Sequence, residues 1–152
     1  MRKQENIKIQ EKLKEQKLIL DGAFGTYYAQ IYDTKELPEL ANIHYPERVR
    51  RIHEEYIEAG AMMIRTNTFA ANTILLNEPW EAVKENIRQG YRLAKESAKG
   101  KGIYVAADIG QIPCNSQTVR EKVSKEYVEI CNTFLEEGAE IFVFETFSDL
   151  DN

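Results

Sequence analysis

The fold of this chain is decided by the stretch YIEAGAMMIRTNTF, residues 56–69, and by its second occurrence as FLEEGAEIFVFETF, residues 134–147. Each copy runs from the end of an amphipathic helix through Gly-Ala and a short apolar run to a polar end. A glycine is typical of a helix C-terminus, and a continuous apolar run is typical of a buried parallel strand. The repeat therefore predicts two equivalent helix–strand units, with Asn67 of the first at the place of Glu145 in the second.

Two further apolar runs extend the pattern, LILD at residues 18–21 and IYVAADIG at residues 103–110. With the runs starting at residues 62 and 141, the four predicted strands begin about 40 residues apart, which indicates a repeated βα unit. Proline and glycine punctuate the intervening helices, which are predicted from Pro46 to Gly60, from Pro79 to Gly100, and up to Gly138. This alternation predicts an α/β fold whose parallel strands are covered on both faces.

No composition shift marks a linker along the 152 residues. The charged residues 1–17 predict a leading helix, and residues 18–152 predict one further structural unit. With 25 acidic and 20 basic residues, the formal charge of −5 argues against nucleic acid as a partner. No apolar run approaches the roughly 20 residues of a membrane span, and no signal peptide is evident, so we expect a cytoplasmic protein without a membrane partner.

Polar side chains lie at or near the predicted strand ends, namely Asp21, Asn67, Asp108 and Glu145. Because the carboxyl ends of parallel strands meet at one edge of a sheet, these side chains are predicted to converge. Two explanations remain open for Asp21 and for Thr26, which either contact a ligand or satisfy the backbone amides of a turn. A further role open to Thr26 is to cap the helix that follows the turn.

Gly22 and Gly25, which lie between Asp21 and Thr26, would allow a tight turn or a close approach to a ligand. Asp108 precedes Ile-Gly, and a turn-stabilising role is expected for it. Glu145 lies on a face predicted to be buried, where a carboxylate requires a partner. An interior ion pair with Arg65 is one explanation of Glu145.

The histidines and cysteines do not form a recognisable metal motif. His44 and His53 are expected in surface or capping roles. Cys114 and Cys131 lie on different predicted elements, without the close-paired spacing of a local zinc site, so free thiols are expected.

Four motifs point to a known family: DGAFGT (21–26), TNTF (66–69), ADIG (107–110) and FETFSD (144–149). In this order and spacing they resemble the homocysteine S-methyltransferase domain, and the resemblance covers about residues 13–150. This domain occurs in cobalamin-dependent methionine synthase, in betaine- and S-methylmethionine-dependent enzymes, and in bacterial fusions with methylenetetrahydrofolate reductase. The resemblance implies a (β/α)8 TIM barrel, of which this chain would be about the first four βα units, a half barrel.

The resemblance also implies an activity and a set of binding residues. The activity is methyl transfer to homocysteine, whose thiolate is activated by zinc held by three cysteines, to form methionine. Asp21 and Glu145 match the acidic residues that receive the α-ammonium group of homocysteine. The Gly22–Ala23 turn, Thr66 and Asn67 match positions that contact its amino-acid end. None of these residues is expected to act as a catalyst, since their role is to position the substrate.

This sequence also departs from the family pattern. The three zinc cysteines of the family belong to the second half of the barrel, and no residue here matches them. We therefore expect the zinc ligands to lie outside this chain, and the 152-residue chain to be inactive alone. The expected partners are homocysteine and either the C-terminal half of the barrel or another copy of the chain. Cobalamin and methyltetrahydrofolate, where used, would act through other domains, and the methyl donor stays open.

Two alternatives compete with this interpretation. One is a non-catalytic half-barrel module for binding or assembly. The other is a doubly wound nucleotide-binding domain, which shares the βα alternation but carries a G-x-G-x-x-G fingerprint that DGAFGT does not match.

Overall fold

The computed structural model describes residues 2–148, except for the side chains of residues 2–8, 117 and 118. A 3₁₀ turn at Pro38–Leu40 precedes the third helix. In chain order, the other elements are α1 Arg2–Glu15, α2 Phe24–Tyr32, α3 Ala41–His44, α4 Pro46–Glu58, β1 Met63–Arg65, α5 Thr73–Leu76, α6 Trp80–Ala98, β2 Tyr104–Gly110, α7 Gln117–Glu136 and β3 Phe142–Glu145. The α/β class predicted from the repeat is confirmed.

The strands β1, β2 and β3 form one parallel sheet in sequential order. Arg65 pairs with Ala106 across β1 and β2, and Gly110 pairs with Glu145 across β2 and β3. The prediction of a strand over residues 18–21 is wrong, because this segment forms only an isolated parallel bridge between Leu20 and Met63. The segment nevertheless lies beside β1, so all four predicted units follow one another in space.

This order separates two of the predicted architectures. In the doubly wound order 3-2-1-4, the fourth strand would pair with the first. Here the fourth unit, β3, pairs with the third, β2. Consecutive pairing is what a barrel requires, and a topological switch point is missing from the described strands.

The main core lies between the sheet and the helices α6 and α7. The strand residues Ile64, Val105 and Ile109 contact it from the sheet, and the buried Ile87 and Phe134 contact it from the helices. A smaller cluster joins α2, α4 and α6 through Tyr28, Ile52 and Leu93. The helices α4, α6 and α7 match the three predicted ones, and α4 begins at Pro46 as expected.

The two copies of the sequence repeat end their helices in the same way. Gly60 follows α4 with φ +105°, and Gly138 follows α7 with φ +88°. Residues with side chains rarely adopt this left-handed region, so glycine ends both helices and directs the chain into the next strand.

The opposite face of the sheet is only partly covered. Ile9 of α1 packs there against Met63 and Ala106. On the helix-covered face, Phe144 is 54% exposed although its register partner Ile109 is in the main core, and Ile19 at the other end of the row of strands is 61% exposed. The expectation that the strands are covered on both faces is therefore wrong for the outermost units, because no described element packs over these side chains.

Within residues 2–148, none of the helices combines the length and the apolar character needed to cross a bilayer.

Candidate functional site

A cavity of about 490 Å³ lies at the carboxyl ends of the strands. It is bounded by the sheet, by the start of α2, and by the segment that contains the 3₁₀ turn. Its lining includes every residue for which the sequence predicted a binding role: Asp21, Gly22, Ala23, Thr66, Asn67 and Glu145. The side chains that contribute most of its charge are Glu39, Arg65 and Asp108 together with Asp21 and Glu145.

Arg65 connects the two predicted acidic residues. Its Nε donates to Asp21 Oδ1 at 2.8 Å, and its Nη1 donates to Glu145 Oε1. The guanidinium therefore connects β1 with the end of β3 across the middle strand, where Asp108 faces the same group. Neighbouring strands are about 5 Å apart, so a long side chain is needed to reach across the middle strand. The interior ion pair considered for Glu145 is thus present.

Asp21 is held by Arg65 through two further contacts. Asp21 Oδ2 accepts a hydrogen bond from the backbone N–H of Arg65 at 2.9 Å, and the guanidinium also donates to the carbonyl oxygens of Asp21 and Gly22. Burial raises the pKa of Asp21 above its usual value, and the hydrogen bonds from Arg65 oppose this rise. For Arg65, burial alone would lower the pKa, but Asp21 and Glu145 outweigh it and the pKa is raised.

Asp108 lies inside β2 and is only 6% exposed. The turn-stabilising role expected for it is wrong, because the residue is in the strand and its side chain faces the charged group. Its Oδ1 has no hydrogen-bond partner in the described protein. Burial, followed by the nearby Glu145, raises the pKa of Asp108 to about 8. Its carboxyl group is therefore mostly protonated at neutral pH.

The backbone of Asp108 is fixed by two hydroxyl groups. Its N–H donates to Thr66 Oγ1 at 3.0 Å, and its carbonyl accepts from Thr68 Oγ1 at 2.7 Å. The two hydroxyl oxygens are 2.6 Å apart, so the Thr66 hydroxyl donates to Thr68, whose own hydrogen is already used. Thr66 thus positions β2 through its side chain, in addition to lining the cavity.

Asn67 is part of a buried amide network. Its Nδ2 donates to the Pro38 carbonyl at 2.8 Å and to Asn42 Oδ1 at 3.0 Å, and Asn42 donates back to the Asn67 carbonyl at 2.7 Å. Asn42 also donates to Asn86 Oδ1. These contacts hold the end of β1 against α3 and α6, so the side-chain amide donors of Asn67 are committed to the protein.

The turn after Asp21 approaches a side chain closely. A Cβ atom at Gly22 would lie 2.8 Å from Tyr56, and the hydroxyl of Tyr56 donates to the Ala23 carbonyl at 3.2 Å. A side chain at position 22 would therefore displace the Tyr56 ring. The capping role considered for Thr26 is wrong, since Thr26 is inside α2 and Ala23 occupies the N-cap position without a side-chain hydrogen bond.

Glu39 is a site residue that the sequence interpretation missed. It is 2% exposed, its Oε1 accepts from the Ala70 backbone N–H at 2.8 Å, and its Oε2 has no described partner. Burial raises the pKa of this carboxyl group. Nothing in ELPEL distinguishes this glutamate from an exposed loop residue, and its burial comes from the packing of the 3₁₀ turn against α2, α3 and α6.

The histidines differ from each other in burial. His44 is exposed, as expected. His53 is fully buried beside Phe24, with ring centroids 5.2 Å apart, so the expectation of a surface or capping role is wrong. It completes the packing between α2 and α4. Burial lowers the pKa of His53 to about 3, and neither ring nitrogen has a described partner.

Cys114 and Cys131 are free thiols, both half-buried. Among the described residues, no three His, Cys, Asp or Glu side chains come together in a way that suits a metal ion. The side chains described here therefore do not fit a zinc site.

The fold and cavity define an α/β protein with an acidic cavity at the carboxyl ends of parallel strands. The profile of the homocysteine S-methyltransferase family matches residues 18–152. The chain belongs to this family, as the four motifs indicated.

Individual relatives agree with this assignment. Betaine–homocysteine S-methyltransferase 1 of Sus scrofa is 27% identical over 75% of this chain and 43% of that protein. S-methylmethionine–homocysteine S-methyltransferase of Rattus norvegicus is 35% identical over 62% of this chain and 23% of that protein. Methionine synthase of Mycobacterium tuberculosis is 27% identical over 91% of this chain and 13% of that protein. The chain thus spans less than half the length of these relatives.

The fold also matches a solved structure. The metallated form of the homocysteine methyltransferase MmuM from Escherichia coli superimposes with a TM-score of 0.73 at 17% identity. The match covers 93% of this chain and 58% of the E. coli chain.

Proposed function

We propose that the protein containing this chain transfers a methyl group to homocysteine to form methionine, and that the cavity binds the amino-acid end of homocysteine. The observation that carries this proposal is the meeting of Asp21 and Glu145 at one cavity in a member of the family. Three relatives are named for homocysteine methyl transfer or methionine synthesis, which supports the same substrate.

The charges around the cavity favour a positively charged ligand group. Three carboxyl groups surround a single guanidinium, so an incoming ammonium group would lower the excess of negative charge. Each carboxylate oxygen can accept more than one hydrogen bond, which leaves Asp21 and Glu145 able to bind an ammonium group beside Arg65.

The start of α2 suits the other charged end of an amino acid. The first turn of a helix has backbone N–H groups without partners inside the helix, and they attract a carboxylate. Residues 22–26 line the cavity at this helix start. We propose that the α-carboxylate of homocysteine binds at this turn. Thr66 and Asn67 line the adjacent wall of the cavity.

The methyl-transfer step itself is assigned to a part of the protein outside this chain. Because the described residues do not fit a zinc site, we propose that zinc and its three cysteines, like any cobalamin or methyltetrahydrofolate site, belong to other segments or domains. The isolated chain is accordingly proposed to bind homocysteine without converting it. A cytoplasmic location also stays a proposal.

The binding proposal is tested by an NMR titration of the 152-residue chain with homocysteine. Glu145→Gln should weaken binding by roughly 10- to 150-fold, because a charge-assisted hydrogen bond contributes roughly 1.5–3 kcal/mol. Glu129→Gln, an exposed residue of α7, is the matched control and should bind like the unmodified chain. Equal binding by both variants would contradict the proposed site.

The proposed inactivity is tested separately. The purified chain should form no methionine from homocysteine with betaine, S-methylmethionine or methyltetrahydrofolate as methyl donor. Co-expression with the remainder of the parent protein should restore bound zinc and activity. Turnover by the 152-residue chain alone would refute the assignment of the zinc site to another segment.

The exposed apolar side chains of the outermost strand units favour the presence of a further segment that covers them. Phe144 and Ile19 lie at opposite ends of the row of parallel strands, as expected of a half barrel whose remaining units are supplied by another segment. We propose that the C-terminal half of the barrel, or another copy of the chain, covers them. The same exposure favours the non-catalytic assembly module as the second candidate function of the isolated chain, and the co-expression experiment separates the two.

A further inference from the structure

The carboxyl groups at the cavity include Asp108, for which the resemblance to the family implied no binding role. Asp21 and Glu145 both contact Arg65, which offers five N–H donors. Asp108 faces the same group from β2, and no hydrogen bond from Arg65 to its side chain is present. The charge of Asp108 is thus the least compensated of the three.

The backbone of Asp108 is held in place. The backbone N–H of Asp108 donates to Thr66 and its carbonyl accepts from Thr68, which holds the strand on both sides of the side chain. A buried carboxylate without a partner is costly, and a nearby carboxylate increases the cost. The cost falls if Asp108 carries a proton that it shares with Glu145, because one proton then serves two carboxyl groups.

We propose that Asp108 is a binding residue of this site: without substrate it shares a proton with Glu145, and the ammonium group of an amino-acid substrate displaces that proton into the solvent. In this step the O–H bond of the carboxyl pair breaks and the proton passes to water or buffer, while no bond between heavy atoms forms or breaks. One proton leaves the carboxyl pair, and one positive charge on the ligand takes its place. The inference rests on the proposed function and adds to it a residue and a coupling between binding and pH.

The groups that face Asp108 agree with this exchange. Arg65 faces it from β1, Asp21 from the segment before α2, and Glu145 from β3. Arg65 is the single cation among them and is already bound to Asp21 and Glu145. The raised pKa of Asp108 has burial and Glu145 as its main causes, as expected for a shared proton.

The test uses L-homocysteine and 4-mercaptobutanoate, which keeps the thiol and the carboxylate but lacks the ammonium group. Homocysteine should bind about tenfold or more tightly at pH 8 than at pH 6, with release of up to about one proton. Proton release is measured by calorimetry in two buffers of different ionisation enthalpy. Binding of 4-mercaptobutanoate should be weaker and should not release a proton.

Asp108→Asn should abolish the proton release and reduce the preference for homocysteine over 4-mercaptobutanoate. Asp33→Asn is the matched control, because Asp33 is exposed at the end of α2 with φ 46°, which asparagine also adopts. It should keep both properties. If Asp108→Asn does not fold, the proton release of the unmodified chain still decides the question.

Two results would overturn the inference in distinguishable ways. Preferential binding of homocysteine without proton release or pH dependence would remove the role of Asp108 and leave the proposed function intact. Equal or absent binding of homocysteine and 4-mercaptobutanoate would remove the proposed amino-acid site, and the inference with it.

Discussion

At the scale of the residue, His53 shows what burial does to a titratable group. Its pKa is about 3 in the folded chain and about 6.5 when unfolded, so only the unfolded state takes up a proton between these values. His53 therefore contributes stability that is complete above pH 6.5 and is lost as the pH falls, by about 2 kcal/mol at pH 5. We predict that His53→Leu flattens this part of the pH dependence, measured by urea unfolding at pH 7 and pH 5. His44→Gln, at an exposed position, should retain the original slope, and an unchanged slope in His53→Leu would contradict the prediction.

At the scale of the element, the parallel sheet places two carboxylates that are far apart in the sequence next to Arg65. Ala106, the register partner of Arg65, is fully buried in β2 and packs against Ile9 and Met63. We predict that Ala106→Leu separates Arg65 from Glu145 and destabilises the fold by about 1–3 kcal/mol, since added volume in a packed region forces displacement. Homocysteine binding should weaken in parallel in an NMR titration. Ala106→Ser, which keeps a small side chain, is the control, and wild-type stability and binding in Ala106→Leu would show that the position of Arg65 does not depend on Ala106.

At the scale of the whole molecule, the outermost strand units carry apolar side chains that a folded chain normally buries. Phe144 and Ile19 are each more than half exposed, and such side chains favour association. We predict that the isolated chain self-associates in size-exclusion chromatography with light scattering, and that Phe144→Ser reduces the measured mass. Leu13→Ser, at an exposed position of α1, should leave the mass unchanged. A stable monomer with a sharp thermal transition would count against the half-barrel proposal.

Much of the fold could be predicted because its signals are local. The glycines at positions 60 and 138 and the proline at position 46 act on their own backbone, so the helix ends near them matched the prediction. The length of the first strand could not be predicted, because an apolar run forms a strand only as far as a partner extends beside it. Residues 18–21 have one neighbour, β1, and form a single bridge.

The sequence by itself determined the family, the α/β class and the set of polar residues at the strand ends, since these depend on residue type and spacing along the chain. Only the tertiary structure decided which of those residues contact each other. Asp21, Arg65 and Glu145 are far apart in the chain and meet because β1, β2 and β3 are adjacent and parallel. The same packing buried Asp108, Glu39 and His53 and shifted their pKa values, because the cost of a buried charge depends on three-dimensional surroundings that no local pattern encodes.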